Sequence, residues 1–312
     1  MTRPKVSIIG AGNVGATTAH WLAQKEIADL VLVDIVEGMP AGKALDLYEA
    51  SPIGGFDVQV TGANDFADTA GSDIAILTSG LARKPGMSRD DLLAKNAAIM
   101  ADVTRKVIEH SPDAILIVVA NPLDAMVQVA ADVAQCDPAR VMGMAGSLDT
   151  ARYRAFLAQE LGVSVTDIQA ILLGGHGDDM VPLPRYTTVG GIGVTELLDS
   201  ATIEAIVDRT RKGGAEIVGL LKTGSAYYAP AAGAAEMTEA ILKDKRRLIC
   251  CCAWCDKEYG VGGAFVGVPV ILGRSGVQRV IELKLTPDER NAFAASVDHV
   301  RELVAQVRRL GG

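Results

Sequence analysis

Residues Lys5 to Asp34 read K-V-S-I-I-G-A-G-N-V-G-A-T-T-A-H-W-L-A-Q-K-E-I-A-D-L-V-L-V-D, and this stretch constrains the fold more than any other. Val6 to Ile9 is a short, β-branched apolar run, as a strand buried on both faces requires. Gly10, Gly12 and Gly15 follow at once in the spacing G-x-G-x-x-G. Ala16 to Gln24 then places apolar side chains at helical intervals. Leu30 to Val33 is a second apolar run, closed by Asp34, 22 residues beyond Gly12.

That order has a physical logic. Gly10 permits a tight turn out of the strand, Gly12 lets a pyrophosphate approach the backbone, and Gly15 lets the helix pack closely on the strand. The start of the helix offers free N–H groups and a partial positive charge to phosphates. Asp34 can accept hydrogen bonds from both hydroxyls of an adenosine ribose and would repel a 2′-phosphate, so the stretch favours NAD over NADP. A glycine fingerprint alone is weak, and a glycine-rich turn in some other α/β protein would share it. Here the preceding strand, the following helix and the acidic residue are all present.

A chain of 312 residues is long for one domain and comfortable for two. With 49% hydrophobic residues a large core is possible and disorder is not expected. No apolar run approaches the ~18 residues of a spanning helix. No charged-then-apolar leader pattern precedes the first strand. A soluble cytoplasmic protein is the expectation. The net charge of −8 argues against nucleic acid and anionic membrane as partners, and an acidic substrate would need locally placed cations. The five cysteines, Cys136, Cys250, Cys251, Cys252 and Cys255, do not form a disulfide framework. Cys252-x-x-Cys255 lacks a second ligand pair and lies in the apolar run Leu248 to Trp254, so small buried strand residues are expected there and no metal.

Further along, Gly38 to Tyr48 is expected to be helical, Ser51 to Gly55 a turn, Val58 to Thr61 a strand, Asp65 to Ala70 a short helix and Ile74 to Thr78 a strand. A polar loop follows, with Lys84-Pro85-Gly86-Met87 suited to a type II turn. Ser88 is an expected N-cap, with Asp91 as its capping-box partner, for a helix from Arg89 to Glu109. Ala114 to Ala120, Leu123 to Ala134 and Arg140 to Ala145 complete a strand–helix–strand alternation, which predicts a doubly wound parallel sheet. The domain boundary is placed at residue 145, giving domains 1–145 and 146–312. Beyond it come a helix over Leu148 to Leu161, a strand-like run Ile168 to Leu173 and polar strands around Arg185 to Val194. Helices are expected over Thr202 to Lys222 and Ala226 to Lys243. An antiparallel meander (Leu248 to Trp254, Gly263 to Leu272, Val277 to Ile281) and a last helix, Pro287 to Arg309, end the chain. The two domains are expected to pack together with a cleft between them.

Of the four histidines, His20 is expected to be packed or half-buried in the first helix, His110 ends a helix and His299 lies on the charged last helix. His176 differs, because Gly174, Gly175 and Gly177 surround it at the end of a strand. An imidazole in such a loop can be structural or chemical. Asp149 and Arg152, spaced i, i+3, share a helix face. They could form a surface ion pair of little consequence. Alternatively the carboxylate orients an imidazole and the guanidinium grips a substrate carboxylate by two parallel bonds. Arg83 and Arg89 flank the Pro-Gly turn, either as solvated charges or as parts of a closing lid.

The segments G-A-G-N-V-G at Gly10, D-I at Asp34, A-R-K-P-G-M-S-R at Ala82, V-A-N-P at Val119, D-T-A-R at Asp149 and G-G-H-G-D at Gly174 occur in one order. In these the chain resembles the malate/lactate dehydrogenase family over essentially its whole length, and in particular the lactate-dehydrogenase-like malate dehydrogenases. The resemblance implies an α/β fold: an NAD-binding Rossmann domain with a doubly wound parallel sheet, then a mixed α/β substrate domain with antiparallel strands. It implies reversible oxidation of (S)-malate to oxaloacetate by hydride transfer to NAD. In that reading His176 is the proton acceptor and Asp149 its holder. Arg152 binds the C1 carboxylate, Arg89 polarises the carbonyl and Asn121 hydrogen-bonds the reacting oxygen. Ser225 lines the pocket. Gly10, Ala11, Gly12, Asn13, Val14, Gly15, Asp34, Asn96, Val119, Ala120 and Asn121 fall to the cofactor, and Asn121-Pro122 is a candidate for a cis bond. Arg83 stands where lactate dehydrogenases of the family usually have Gln, so it implies a dicarboxylate substrate. The alternatives are an L-lactate dehydrogenase and a non-catalytic dinucleotide-sensing protein. The family implies a homodimer or homotetramer, for which the apolar helices near Lys43 to Tyr48 and Thr210 to Leu221 are available.

Overall fold

The computed structural model describes residues 3–81 and 88–311, and of Arg89 the backbone alone. The first half runs β1 (Lys5–Ile9), α1 (Asn13–Lys25), β2 (Asp29–Val33), α2 (Met39–Gly54), β3 (Val60–Ala63), β4 (Ile74–Leu77), α3 (Arg89–His110), β5 (Ile115–Val118), α4 (Leu123–Ala134) and β6 (Val141–Gly143). These six strands pair in parallel in the order β3-β2-β1-β4-β5-β6. Alternation along the strands explains why both faces are covered. Leu30 and Leu32, Ile74 and Ile76, and Ile115 and Ile117 enter one apolar cluster. Their neighbours Val31 and Val33, Ala75 and Leu77, and Leu116 and Val118 enter a second. Helices on both sides are the arrangement that buries both sets. The order of strands reverses at β1 and β4, and the crevice beyond their carboxyl ends is where an open α/β sheet binds ligands.

The second half continues with α5 (Ala145–Leu161), β7 (Ile168–Gln169), β8 (Leu172–Leu173), β9 (Val181–Pro182), β10 (Thr188–Val189), β11 (Ile192–Gly193) and α6 (Val194–Leu197). It then runs through α7 (Ser200–Leu221), α8 (Tyr228–Leu242), β12 (Arg247–Cys255), β13 (Ala264–Gly273), β14 (Gly276–Val280) and α9 (Pro287–Arg309). The expected meander is present, but it is not a separate sheet. β12 joins β6 antiparallel at Cys252 and Gly143, so one sheet of nine strands crosses residue 145 among the described residues. Cys250, Cys251, Cys252 and Cys255 are buried in β12. Burial pushes the Cys255 thiol up to about 12, as suits packed and unreactive side chains.

Several element ends differ from the sequence reading. Instead of turning at Ser51, α2 continues through Pro52 to Gly54 and ends on Gly55 at φ 72°. A proline in the last turn forfeits a single backbone bond, which the helix tolerates. β3 is displaced to Val60–Ala63, because its register pairs Leu30 with Val60 and Val33 with Ala63. β6 stops at Gly143, and Ala145 already belongs to α5. The run from Ile168 to Leu173 splits into β7, which pairs with β10, and β8, which pairs with β9. His20 is exposed on α1 and not packed. The Lys84 to Met87 turn lies outside the described residues.

Candidate active site

The glycine-rich turn shows which of its glycines the protein itself needs. Gly10 has φ 106°, a left-handed conformation, and a Cβ there would lie 2.6 Å from Thr78 Oγ1. A Cβ on Gly15 would run into the Gly10 carbonyl. Gly12 has an ordinary φ of −65°, and a Cβ there would meet nothing within 4 Å. No protein contact demands glycine at Gly12, so the open space in front of it fits a group brought in from outside. Gly12 is the N-cap of α1 and offers no side-chain cap, and the first turn of the helix holds no acid. The free N–H groups of that turn are therefore available to an anion.

Gly10, Gly12, Asn13, Val14, Gly15 and Asp34 line one groove of about 630 Å³, together with Ser225 from the α7–α8 connection. Asp34 forms part of its wall. One carboxylate oxygen accepts the Ala11 N–H at 2.8 Å and the other accepts the Val36 N–H at 3.0 Å. The carboxylate is thereby held facing any ribose placed over the turn. Sequence reasoning did not single out Ile35, Ile99 and Val103, which also line the groove. Ile99 and Val103 carried a signal, their i, i+4 spacing on α3, whereas Ile35, 90% exposed beside Asp34, carried none in the sequence. Both fit an apolar wall for a flat base.

Ala11 contributes its backbone to Asp34 and is itself buried. Asn96, Val119, Ala120 and Asn121 do not line the groove. Asn96 is a buried bracket. Its amide accepts the Leu81 N–H at 2.8 Å and donates to the Leu81 carbonyl at 3.2 Å and the Asn121 carbonyl at 2.8 Å. It thus ties the loop after β4 to the end of β5. Asn121-Pro122 is cis, and Asn121 is exposed at the start of α4.

The second constellation is built from α4, α5 and the β8–β9 loop. His176 Nδ1 lies 2.9 Å from Asp149 Oδ2. An ionised carboxylate only accepts, so Nδ1 bears the shared proton and Nε2 is left to take up or release another. The His176 backbone N–H donates to Asp124 Oδ2 at 3.0 Å. Asp124 lies three residues beyond Asn121, so the start of α4 that holds His176 also presents Asn121. Burial opposes the charged imidazole, but the charge and hydrogen bond of Asp149 outweigh it and raise the His176 pKa above its ordinary 6.5. Burial also disfavours the charged Asp124 carboxylate and pushes that carboxyl up.

Arg152 and Asp149 are not a surface pair. Their side chains are 11% and 4% exposed, and the closest N···O distance is 3.7 Å, too long for a hydrogen bond. Arg152 Nε and Asp149 Oδ1 are buried without hydrogen-bond partners among the described residues. Burial pulls the Arg152 pKa down, opposed by Asp149, yet a guanidinium stays charged. Gly213 of α7 leaves room for the stem of Arg152, since a Cβ there would lie 3.1 Å from its Cδ. Arg152 therefore presents a mostly enclosed guanidinium whose Nε has no hydrogen-bond partner among the described residues, and a planar fork of this kind matches a carboxylate. Arg83 lies outside the described residues, and Arg89 begins α3 with its side chain undescribed.

Two family models divide the chain. Residues 4–143 match "lactate/malate dehydrogenase, NAD binding domain", and residues 146–310 match "lactate/malate dehydrogenase, alpha/beta C-terminal domain". The malate dehydrogenase of Rhodopirellula baltica is 62% identical over 307 residues, covering 98% of both chains. The solved malate dehydrogenase of Salinibacter ruber superposes with a TM-score of 0.94 at 56% identity, covering 98% of both chains. The lactate dehydrogenase of Cryptosporidium parvum, solved with lactic acid and nicotinamide adenine dinucleotide, gives a TM-score of 0.95 at 40% identity, covering 99% of both chains.

Proposed function

The chain belongs to the lactate/malate dehydrogenase family, and from that premise we propose that it is an NAD-dependent malate dehydrogenase in which His176 moves the proton. NAD, when bound in the groove, supplies the acceptor or donor of hydride. Everything else falls to the chain. Gly12 and the α1 N-terminus receive the pyrophosphate, and Asp34 receives the ribose and disfavours a 2′-phosphate. Arg152, mostly enclosed and with its Nε unpartnered among the described residues, orients the substrate by its C1 carboxylate. Neutral His176 accepts the hydroxyl proton of malate at Nε2, and Asp149 stabilises the imidazolium so formed. In the reverse direction the protonated imidazole donates. Asn121 binds the reacting oxygen, and Arg89 polarises the carbonyl as its negative charge develops. Asn96 keeps the loop that leads to these groups attached to Asn121. Arg83 pairs with the second carboxylate, which selects malate and oxaloacetate over lactate and pyruvate.

The observation that carries this reading is the part-buried Asp149–His176 hydrogen bond beside Arg152, whose Nε has no hydrogen-bond partner among the described residues. A non-catalytic nucleotide sensor has no use for that set. The test is His176→Asn. Turnover should fall by about 10²- to 10⁴-fold, while NADH binds as in the parent. Retention of kcat within about tenfold would show that another group moves the proton.

The malate dehydrogenase names of the relatives at 62% and 56% identity support the dicarboxylate assignment. We read residues 1–145 and 146–312 as the cofactor and substrate domains, close to the division between the matched families. A homodimer or homotetramer is supported by exposed Leu45 and Tyr48 on α2 and Leu220 and Leu221 on α7, apolar side chains that a second copy would cover. A cytoplasmic location is supported by four cysteines used as buried strand residues. Among the described residues no helix is long and apolar enough to cross a membrane.

A further inference from the structure

The loop that presents His176 is poorly able to hold its own shape. Gly174 and Gly177 both have φ 87°, and the loop joins two strands of only two residues each. Such a backbone needs anchors from outside to fix a side chain within the tolerance that catalysis requires. Two are already described or adjacent: the His176 N–H bonds Asp124, and the Gly174 N–H bonds the Gly267 carbonyl at 2.9 Å.

The third set comes from α9. Ser296 Oγ accepts the Gly175 N–H at 2.8 Å and donates to the Asp179 carbonyl at 2.8 Å. A single hydroxyl thus joins the residues on either side of His176. Three residues on, His299 Nδ1 lies 2.6 Å from Asp179 Oδ2. Val300 closes over Gly175, where a Cβ would lie 3.0 Å from its Cγ2. Positions 296, 299 and 300 are i, i+3 and i+4, one face of the helix. Ser296 is 5% exposed in a long helix, where a hydroxyl usually bonds back to its own turn or points to water. This one does neither and spends its hydrogen bonds on the loop.

We propose that Ser296 and His299 make this face of α9 the positioning element that keeps His176 in register with Asp149. The inference rests on His176 being the proton-transfer group. Neither residue touches substrate; both act through the loop. The charged groups that face the imidazole are Asp149 and Arg152 from α5 and Asp124 from α4. Relaxing the loop would lengthen the Asp149 contact, the larger of the two carboxylate contributions, with Asp124, that hold the His176 pKa up.

The experiment compares Ser296→Ala, His299→Ala and His299→Asn with the parent in oxaloacetate reduction across pH. Ser296→Ala is expected to lower kcat on the order of tenfold to a hundredfold, to move the midpoint of the pH profile downward and to leave NADH affinity unchanged. His299→Ala should shift both readouts less and in the same direction. His299→Asn should restore them, because its amide can still reach Asp179. A folded Ser296→Ala protein with the parent's pH midpoint would confine Ser296 to holding the fold and overturn the inference. If Ser296→Ala does not fold, the exposed His299 pair decides, and an unmoved midpoint in His299→Ala overturns it. His176→Asn run alongside separates the two readings. Turnover retained there removes the role of His176, whereas turnover lost there with unmoved midpoints in the α9 variants removes this inference alone.

Discussion

At the scale of single residues, the site is governed by what burial does to three charges. Asp149 shares the pocket with His176 and with Arg152, but it hydrogen-bonds only the imidazole. The raised His176 pKa fixes the sign of the pH dependence. Oxaloacetate reduction needs the protonated imidazole, so its kcat/KM should be flat at low pH and fall as pH rises through a midpoint above 6.5. Malate oxidation needs the neutral form and should rise through the same region. In Asp149→Asn the charge that stabilises the imidazolium is gone, and the midpoint of reduction should move down by about one pH unit or more. A pH titration of kcat/KM in both directions checks this; an unmoved midpoint would separate Asp149 from the titrating group. Arg83 belongs to the same scale, although it lies outside the described residues. In Arg83→Gln the distal carboxylate of oxaloacetate would be left without a partner in a closed site. The cost of breaking such a pair is about 3–5 kcal/mol, or roughly 10²- to 10⁴-fold in kcat/KM. Pyruvate carries a methyl group there and should gain relative to oxaloacetate. The ratio of the two kcat/KM values, measured at one salt concentration, reports it.

At the scale of elements, what the sequence revealed depended on how local the cause was. α9 spans the Pro287 to Arg309 expected from the sequence, and Thr286 and Glu289 satisfy its first turn among themselves. Ser88 and Asp91 do the same for α3. The glycine fingerprint was readable because its demands are local: Gly10 takes a left-handed φ of 106°, and Gly15 packs on the Gly10 carbonyl five residues away. Where the cause was distant, the reading slipped. The position of β3 is set by its pairing with β2, and the division of Ile168 to Leu173 by two different partner strands. Periodicity within a segment contains neither. In the site, Asp149, Arg152 and His176 were legible as residue types in telling positions. Ile35 and Ser296 were not. An isoleucine and a helical serine become notable only when one stands exposed at a groove and the other is buried against a glycine loop.

At the scale of the whole molecule, one sheet supports both halves of the chemistry. The carboxyl ends of β1 and β4 open onto the groove. The start of α4, just beyond β5, holds the His176 backbone through Asp124. The meander β12–β14 extends that sheet on the far side of β6, and β13 supports the catalytic loop at Gly174. Arg152 and His176, to which the proposal gives the carboxylate and the proton, are therefore held by the same sheet that lines the groove. The central claim is that this framework reads a dicarboxylate. The most direct test is the initial rate of NADH loss, followed by its absorbance, with oxaloacetate and with pyruvate at equal concentrations of the unmodified protein. Rapid loss with oxaloacetate and little with pyruvate is the predicted result. Equal rates, or a preference for pyruvate, would contradict the account.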